Sequence, residues 1–233
     1  MSTHRRSTIP ASAIPPSRAL GSSRHPLLGL GVAAGLVGVL LVLAQMLSVD
    51  GFDPRRHTIS YLAIGPSGWI QTMMFLLVGG LYALSAIGLR RTLAGSRGGR
   101  WAPIFVTVLG LSFIWAGVFP MDPADGFPLG TPDGPAVRPT WHGILHQLGP
   151  VLASVALIGS SLVLIRRYLG LRRPGVVVAY LVIIQLDLLP IAFAGSVAFY
   201  PVTTATQLTA WLLFSGLLGI VRPSVTQADG VSR

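Results

Sequence analysis

Six long apolar stretches separated by short polar segments leave this chain few possible folds. They run over 27–48, 69–89, 101–119, 141–165, 175–199 and 204–221. A helix needs roughly 17–25 apolar residues to cross a bilayer. Backbone polar groups in lipid must be satisfied within the segment, so each stretch is expected to be a helix. None shows the apolar/polar alternation of a membrane barrel strand. The expected fold class is therefore all-α, a polytopic bundle of six transmembrane helices. Charged residues make up 10% of the chain and hydrophobic ones 52%, whereas a typical soluble domain is about 25% charged.

The chain divides into three parts. Residues 1–26 are polar, rich in Ser and Pro, and read as a disordered tail. Residues 27–221 form the transmembrane domain, and 222–233 a second tail. The first apolar run is longer than a signal-peptide core and is followed by no clear small-residue cleavage site, so it reads as a retained span. All 17 basic residues are Arg and all seven acidic ones are Asp; Lys, Glu, Asn and Cys do not occur. The absence of Cys excludes disulfides, thiolate zinc sites and iron–sulfur clusters. The net charge of +10 does not mark a nucleic-acid binder, because the arginines lie in short clusters between apolar runs. With six spans, 14 of the 17 arginines fall on one side. Arg55, Arg56 and Arg138 lie on the other, together with Asp50, Asp53, Asp122, Asp125 and Asp133. The positive-inside rule then places both termini in the cytoplasm of a cell-membrane protein.

The two outward loops hold most of the remaining polar chemistry. In the first, Asp53 and Pro54 suit a helix start and Gly65-Pro66 a stop. A short interfacial helix is expected at about 54–63, with Asp53, His57 and Ser60 on one face. Arg55 and Arg56 are candidates for contacting anionic lipid headgroups. The second loop, 119–139, carries six prolines and three glycines across 120–139 and should be irregular. The spacing of its aspartates does not match a calcium-binding loop. Next come His142 and His146, four apart and therefore on one helix face. That spacing suits either a hydrogen-bonded pair or two ligands of a divalent metal such as zinc, completed by His57, Asp53, Asp122 or Asp125. The His-Glu-x-x-His pattern is absent, and two histidines on one face do not supply opposed axial ligands for one haem.

Asp187 lies inside the fifth span, where a carboxylate costs about 2.5–3.5 kcal/mol on insertion scales. It is expected to face the bundle interior, with Gln147, His146 and Ser112 at a similar depth. Pro150 and Pro190 are expected to kink their spans. Gly31 and Gly35 have a helix-packing spacing, read mainly as contact within the bundle. No internal repeat aligns the two halves, which disfavours an inverted-repeat transporter.

The stretch His57-Thr58-Ile59-Ser60-Tyr61-Leu62-Ala63, followed by Gly65-Pro66-Ser67-Gly68-Trp69, resembles the bacterial and archaeal membrane family called domain of unknown function 998. Gly117-Val118-Phe119-Pro120-Met121-Asp122-Pro123 and His142-Gly143-Ile144-Leu145-His146 are similar to the same family. The resemblance spans about residues 27–221. It implies a multi-pass membrane protein and brings no catalytic residues with it. A more distant analogy, in residue types alone, is with zinc-dependent membrane hydrolases of the alkaline ceramidase type. Three functions follow. One is a binding or structural membrane protein, with a lipid or small-molecule ligand at the outer face. The second is a metal-dependent hydrolase acting there on a lipid or envelope substrate, using metal-activated water. The third is a small transporter with Asp187 as its proton site. His57, His142 and His146 are expected together at the outer mouth of the bundle.

Overall fold

The computed structural model describes residues 25–136 and 138–223. Nearly all of the expected tail at 1–26 and most of the tail at 222–233 lie outside them. Seven α-helices follow in order: α1 (Leu28–Ser48), α2 (Gly68–Thr92), α3 (Trp101–Val118), α4 (Trp141–His146), α5 (Leu148–Gly170), α6 (Pro174–Leu188) and α7 (Phe199–Gly219). Short 3-10 helices occupy Ile59–Ala63 and Leu189–Phe193. Because α4 and α5 are one broken body, the bundle has six transverse members, as the apolar runs require.

Five of these bodies are long and apolar enough to cross a membrane: Leu28–Ser48, Gly68–Thr92, Trp101–Val118, Trp141–Gly170 and Pro174–Phe193. The sixth, α7, is as long as α1 but carries Thr203, Thr204, Thr206, Gln207 and Thr209. Three of these hydroxyls donate to carbonyls one turn back in their own helix: Thr203 to Phe199, Thr206 to Val202 and Thr209 to Ala205. Such bonds let threonine sit in an apolar setting. Large apolar side chains remain exposed around the bundle, among them Leu40 at 65% and Leu47 at 90%. In water this surface would be an aggregation hazard; here it is the lipid-facing belt. Trp69, Trp101 and Trp141 sit exposed at helix starts, the usual place of interfacial aromatics.

The helices meet closely where side chains are smallest. A Cβ on Gly79 of α2 would stand 2.5 Å from the Gly110 carbonyl of α3, and one on Gly110 would stand 2.6 Å from the Gly79 carbonyl. The Gly31/Gly35 face packs within the chain, on Ser215 and Leu218 of α7 and Ser85 of α2. Interhelical hydrogen bonds add to this packing. Gln45 of α1 donates to Gln71 of α2 at 2.7 Å, and Gln71 donates to the Ile59 carbonyl at 3.3 Å. The hydroxyls of Tyr82 and Ser215 lie 2.7 Å apart, joining α2 to α7.

Three local expectations are corrected. First, there is no α-helix over 54–63. Asp53 starts one turn, then Thr58 is extended (φ −75°, ψ 161°), and only Ile59–Ala63 is helical, in 3-10 form. The extended residue lets Ile59 and Leu62 enter the core while His57 turns toward the second loop. Second, the fourth span breaks at Gln147 rather than at Pro150. Pro150 lies in the first turn of α5, where its missing N–H has no intrahelical partner to lose. Third, the fifth and sixth spans meet earlier than 199–204. The helix leaves α geometry at Leu188, before Pro190, and turns at Gly195 (φ +80°). It resumes at Phe199, so that Pro201 falls in the first turn of α7.

The two ends of the bundle differ sharply. One end holds the loops around 50–66 and 119–140. The other carries Arg90, Arg91, Arg97, Arg100, Arg166, Arg167, Arg172, Arg173 and Arg222. Both ends of the described chain emerge at this arginine-rich end, where His25 touches Arg91 and the Arg222 carbonyl touches Arg167.

Candidate functional site

At the aspartate-rich end, the second loop is folded over the first. Asp53 holds the opening turn by accepting from the Arg55 backbone at 2.8 Å. The Asp53 N–H donates to His57 Nδ1 at 2.9 Å, and His57 Nε2 lies 3.0 Å from the Asp125 carbonyl. One ring nitrogen accepts, so the other carries the proton, and His57 is the neutral Nε2–H tautomer. The ring is 2% exposed and packs among Phe52, Tyr61 and Phe127. Tyr61 donates to the Asp125 carboxylate at 2.9 Å. Burial, reinforced by Asp125, pushes the Tyr61 phenol above its ordinary value, so it stays a donor. Arg56 pairs with Asp133 across the loop, while Arg55 is exposed.

The fourth span is anchored to the same loop. The Asp122 carboxylate accepts from the Thr140 backbone at 2.9 Å and from its hydroxyl at 2.6 Å. The Thr140 oxygen caps α4 by accepting from Gly143 at 3.2 Å. Gly143 leaves the space that this carboxylate fills, since a Cβ there would collide with it. His142 Nδ1 lies 3.0 Å from the Pro120 carbonyl, and His146 Nδ1 lies 2.6 Å from that of Phe119. Trp115 donates to the Leu145 carbonyl at 2.7 Å, next to the break.

All three expected histidines thus bond carbonyls of one stretch, 119–125. They share an end of the bundle and one loop, each as a pin on backbone. Among the described residues, no three His or Asp side chains are grouped to hold a metal ion. Of the expected carboxylate ligands, Asp53 and Asp122 are engaged with backbone N–H groups and Asp125 with the Tyr61 hydroxyl.

Asp187 lies elsewhere, in the bundle interior. It lines a cavity of about 60 Å³, room enough for a few water molecules. The walls come from α2, α3, α5, α6, α7 and the 3-10 helix at Ile59–Ala63. They are mostly apolar, with Ser60, Ser112, Ser154 and Gln207 as the polar groups beside Asp187. Ser154 donates to Asp187 Oδ1 at 3.3 Å. Oδ2 is buried and has no partner. Of the expected neighbours, Ser112 shares the cavity, whereas His146 bonds a loop carbonyl. The real partner, Ser154, is two helical turns beyond Gln147. A depth inferred from helical rise ignores which way each helix faces.

Neither Ser154 nor Gln207 is legible in the sequence, because serine and glutamine in an apolar run carry no spacing signal. Ser60, which its spacing puts on the His57 face, instead turns inward from the 3-10 helix and lines the cavity.

An all-helical bundle with a lipid-facing belt and an internal carboxylate cavity is a polytopic membrane protein. Residues 32–221 match the family described as protein of unknown function (DUF998), and the chain belongs to it. No curated protein and no solved structure gives a match.

Proposed function

We propose that this is a membrane-embedded binding protein whose central cavity receives the cationic or hydrogen-bond-donating head of a small, largely apolar ligand, with Asp187 as the anchor. The observation that carries this reading is the partnerless Oδ2 of Asp187 inside a cavity. A buried carboxylate oxygen is costly unless something pairs with it, and Ser154 serves only the other oxygen. The cavity has room for the head and its first carbons, its walls are mostly apolar, and few polar groups are present to fix the head.

The test is binding of a fluorescent alkylamine to the protein in nanodiscs of zwitterionic lipid. Saturable binding is expected, with Asp187→Asn weakening it about tenfold or more, the worth of one charge-assisted hydrogen bond. A matched alkylcarboxylate is expected not to compete. Equal affinity of wild type and Asp187→Asn would remove Asp187 from the site.

The protein's setting belongs to the same reading. The arginine-rich end faces the cytoplasm of a cell membrane, with both termini there, and the cavity lies under the outer loops. Reporter fusions after Arg97 and Arg172 are expected to report cytoplasm, and fusions within 122–135 the outside. The reverse pattern would invert the topology.

A further inference from the structure

We propose that the pocket around Arg167, at the arginine-rich end, binds a phosphate group. This does not rest on the reading of Asp187, which lies in a different cavity.

Arg167 is in the last turn of α5 and is 3% exposed. Its guanidinium donates to the Ser96 hydroxyl at 2.9 Å, the Arg97 carbonyl at 3.3 Å and the Arg222 carbonyl at 2.8 Å. All three acceptors are neutral, and its Nε has no partner. Thr92, on the wall of the same pocket, also has a buried hydroxyl without a partner. The pocket, of about 460 Å³, is lined by Arg167, Thr92, Ser96 and Arg97, and an adjoining one by Arg173 and Arg222. Among the described residues no carboxylate lies at this end; the only ion pair described is Arg56 with Asp133, at the other.

A buried guanidinium without a counter-charge is costly. Arg97 lines the same pocket and Arg173 and Arg222 the adjoining one, which raises the local positive potential. A tetrahedral anion with several acceptor oxygens answers this arrangement. It takes the free Nε–H and the Thr92 hydroxyl together, and the exposed Arg97 closes over it. Guanidinium suits phosphate geometry better than ammonium does. The phosphate comes either from an anionic lipid of the adjacent leaflet or from free phosphate. Basic pockets between membrane helices are known to hold lipid phosphates.

The experiment uses the full chain in nanodiscs and follows its thermal midpoint. The probes are cardiolipin mixed into phosphatidylcholine, and inorganic phosphate added to discs of phosphatidylcholine alone. Either is expected to raise the midpoint. Stabilisation by cardiolipin only assigns a lipid phosphate, and stabilisation by both assigns the phosphate group itself. Arg167→Gln is expected to abolish the effect. Because that variant removes a buried group, Arg97→Gln serves beside it, being exposed and expected to fold. It is expected to weaken the half-saturating probe concentration about threefold or more. Arg100→Gln, which removes a charge stacked on Trp101, is expected to bind like wild type. The proposal is overturned if neither probe stabilises the protein, or if Arg97→Gln and Arg167→Gln respond like wild type. It is also overturned if binding appears only after Asp229→Asn, since the chain's own tail would then be the occupant.

Discussion

A Gly110→Ala protein is expected to lose about 3 kcal/mol of stability, at the upper end for an overpacked methyl. The added Cβ points at the Gly79 carbonyl, 2.6 Å away, and next at the Ala83 backbone nitrogen at 2.9 Å. Both are main-chain atoms, so no rotamer change relieves the clash and α2 and α3 must part. Their separation would disturb Phe75, Tyr82 and Phe113, whose rings pack across this seam. Gly79→Ala meets the Gly110 carbonyl in the same way and is expected to cost a similar amount. The double variant should cost less than the sum, because one displacement relieves both contacts. Thermal denaturation in detergent checks this; wild-type midpoints for both single variants would mean that the crossing is looser than described.

Asp122→Ala is expected to cost about 3 kcal/mol or more, because one carboxylate receives two bonds from Thr140 and each charge-assisted bond is worth about 1.5–3 kcal/mol. Its removal leaves the Thr140 N–H unpaired and frees the hydroxyl that caps α4. Asp122→Asn retains an acceptor and is expected to fall between wild type and Ala. Proteolysis in the 120–139 loop is expected to speed up in the same order. An unchanged cleavage rate in Asp122→Ala would show that the loop is held by other contacts.

The apolar runs fixed the number of helical bodies because lipid leaves the backbone no alternative. What they left open lies at the breaks. Pro150 and Pro190 look alike in the sequence, yet one begins a helix and the other ends one. The difference is that Gln147 breaks the helix first, and no residue-level pattern marks that. At Thr58 a single extended residue sends His57 to the loop and Ser60 to the core, although their spacing alone suits one helical face. The histidine pair was legible as a pair, but not its bonding to Phe119 and Pro120 carbonyls, which comes from loop contacts distant in sequence. Asp187 was legible as an interior group by the cost of its charge in lipid. Its cavity was not, because six separate elements supply the walls. Arg167 looked like any arginine in a basic loop; only its burial in the last turn of α5 sets it apart.

As a cation anchor, Asp187 must line a cavity that water reaches and that favours cations. The chain has no cysteine, so Ser154→Cys places a single thiol beside that carboxylate. In nanodiscs, a cationic methanethiosulfonate reagent is expected to modify it faster than an anionic one of similar size. Asp187→Asn in the same background is expected to abolish that preference, while a cysteine at lipid-facing Leu162 reacts with neither. A folded Ser154→Cys protein that stays unmodified, or one whose charge preference survives Asp187→Asn, would contradict the account.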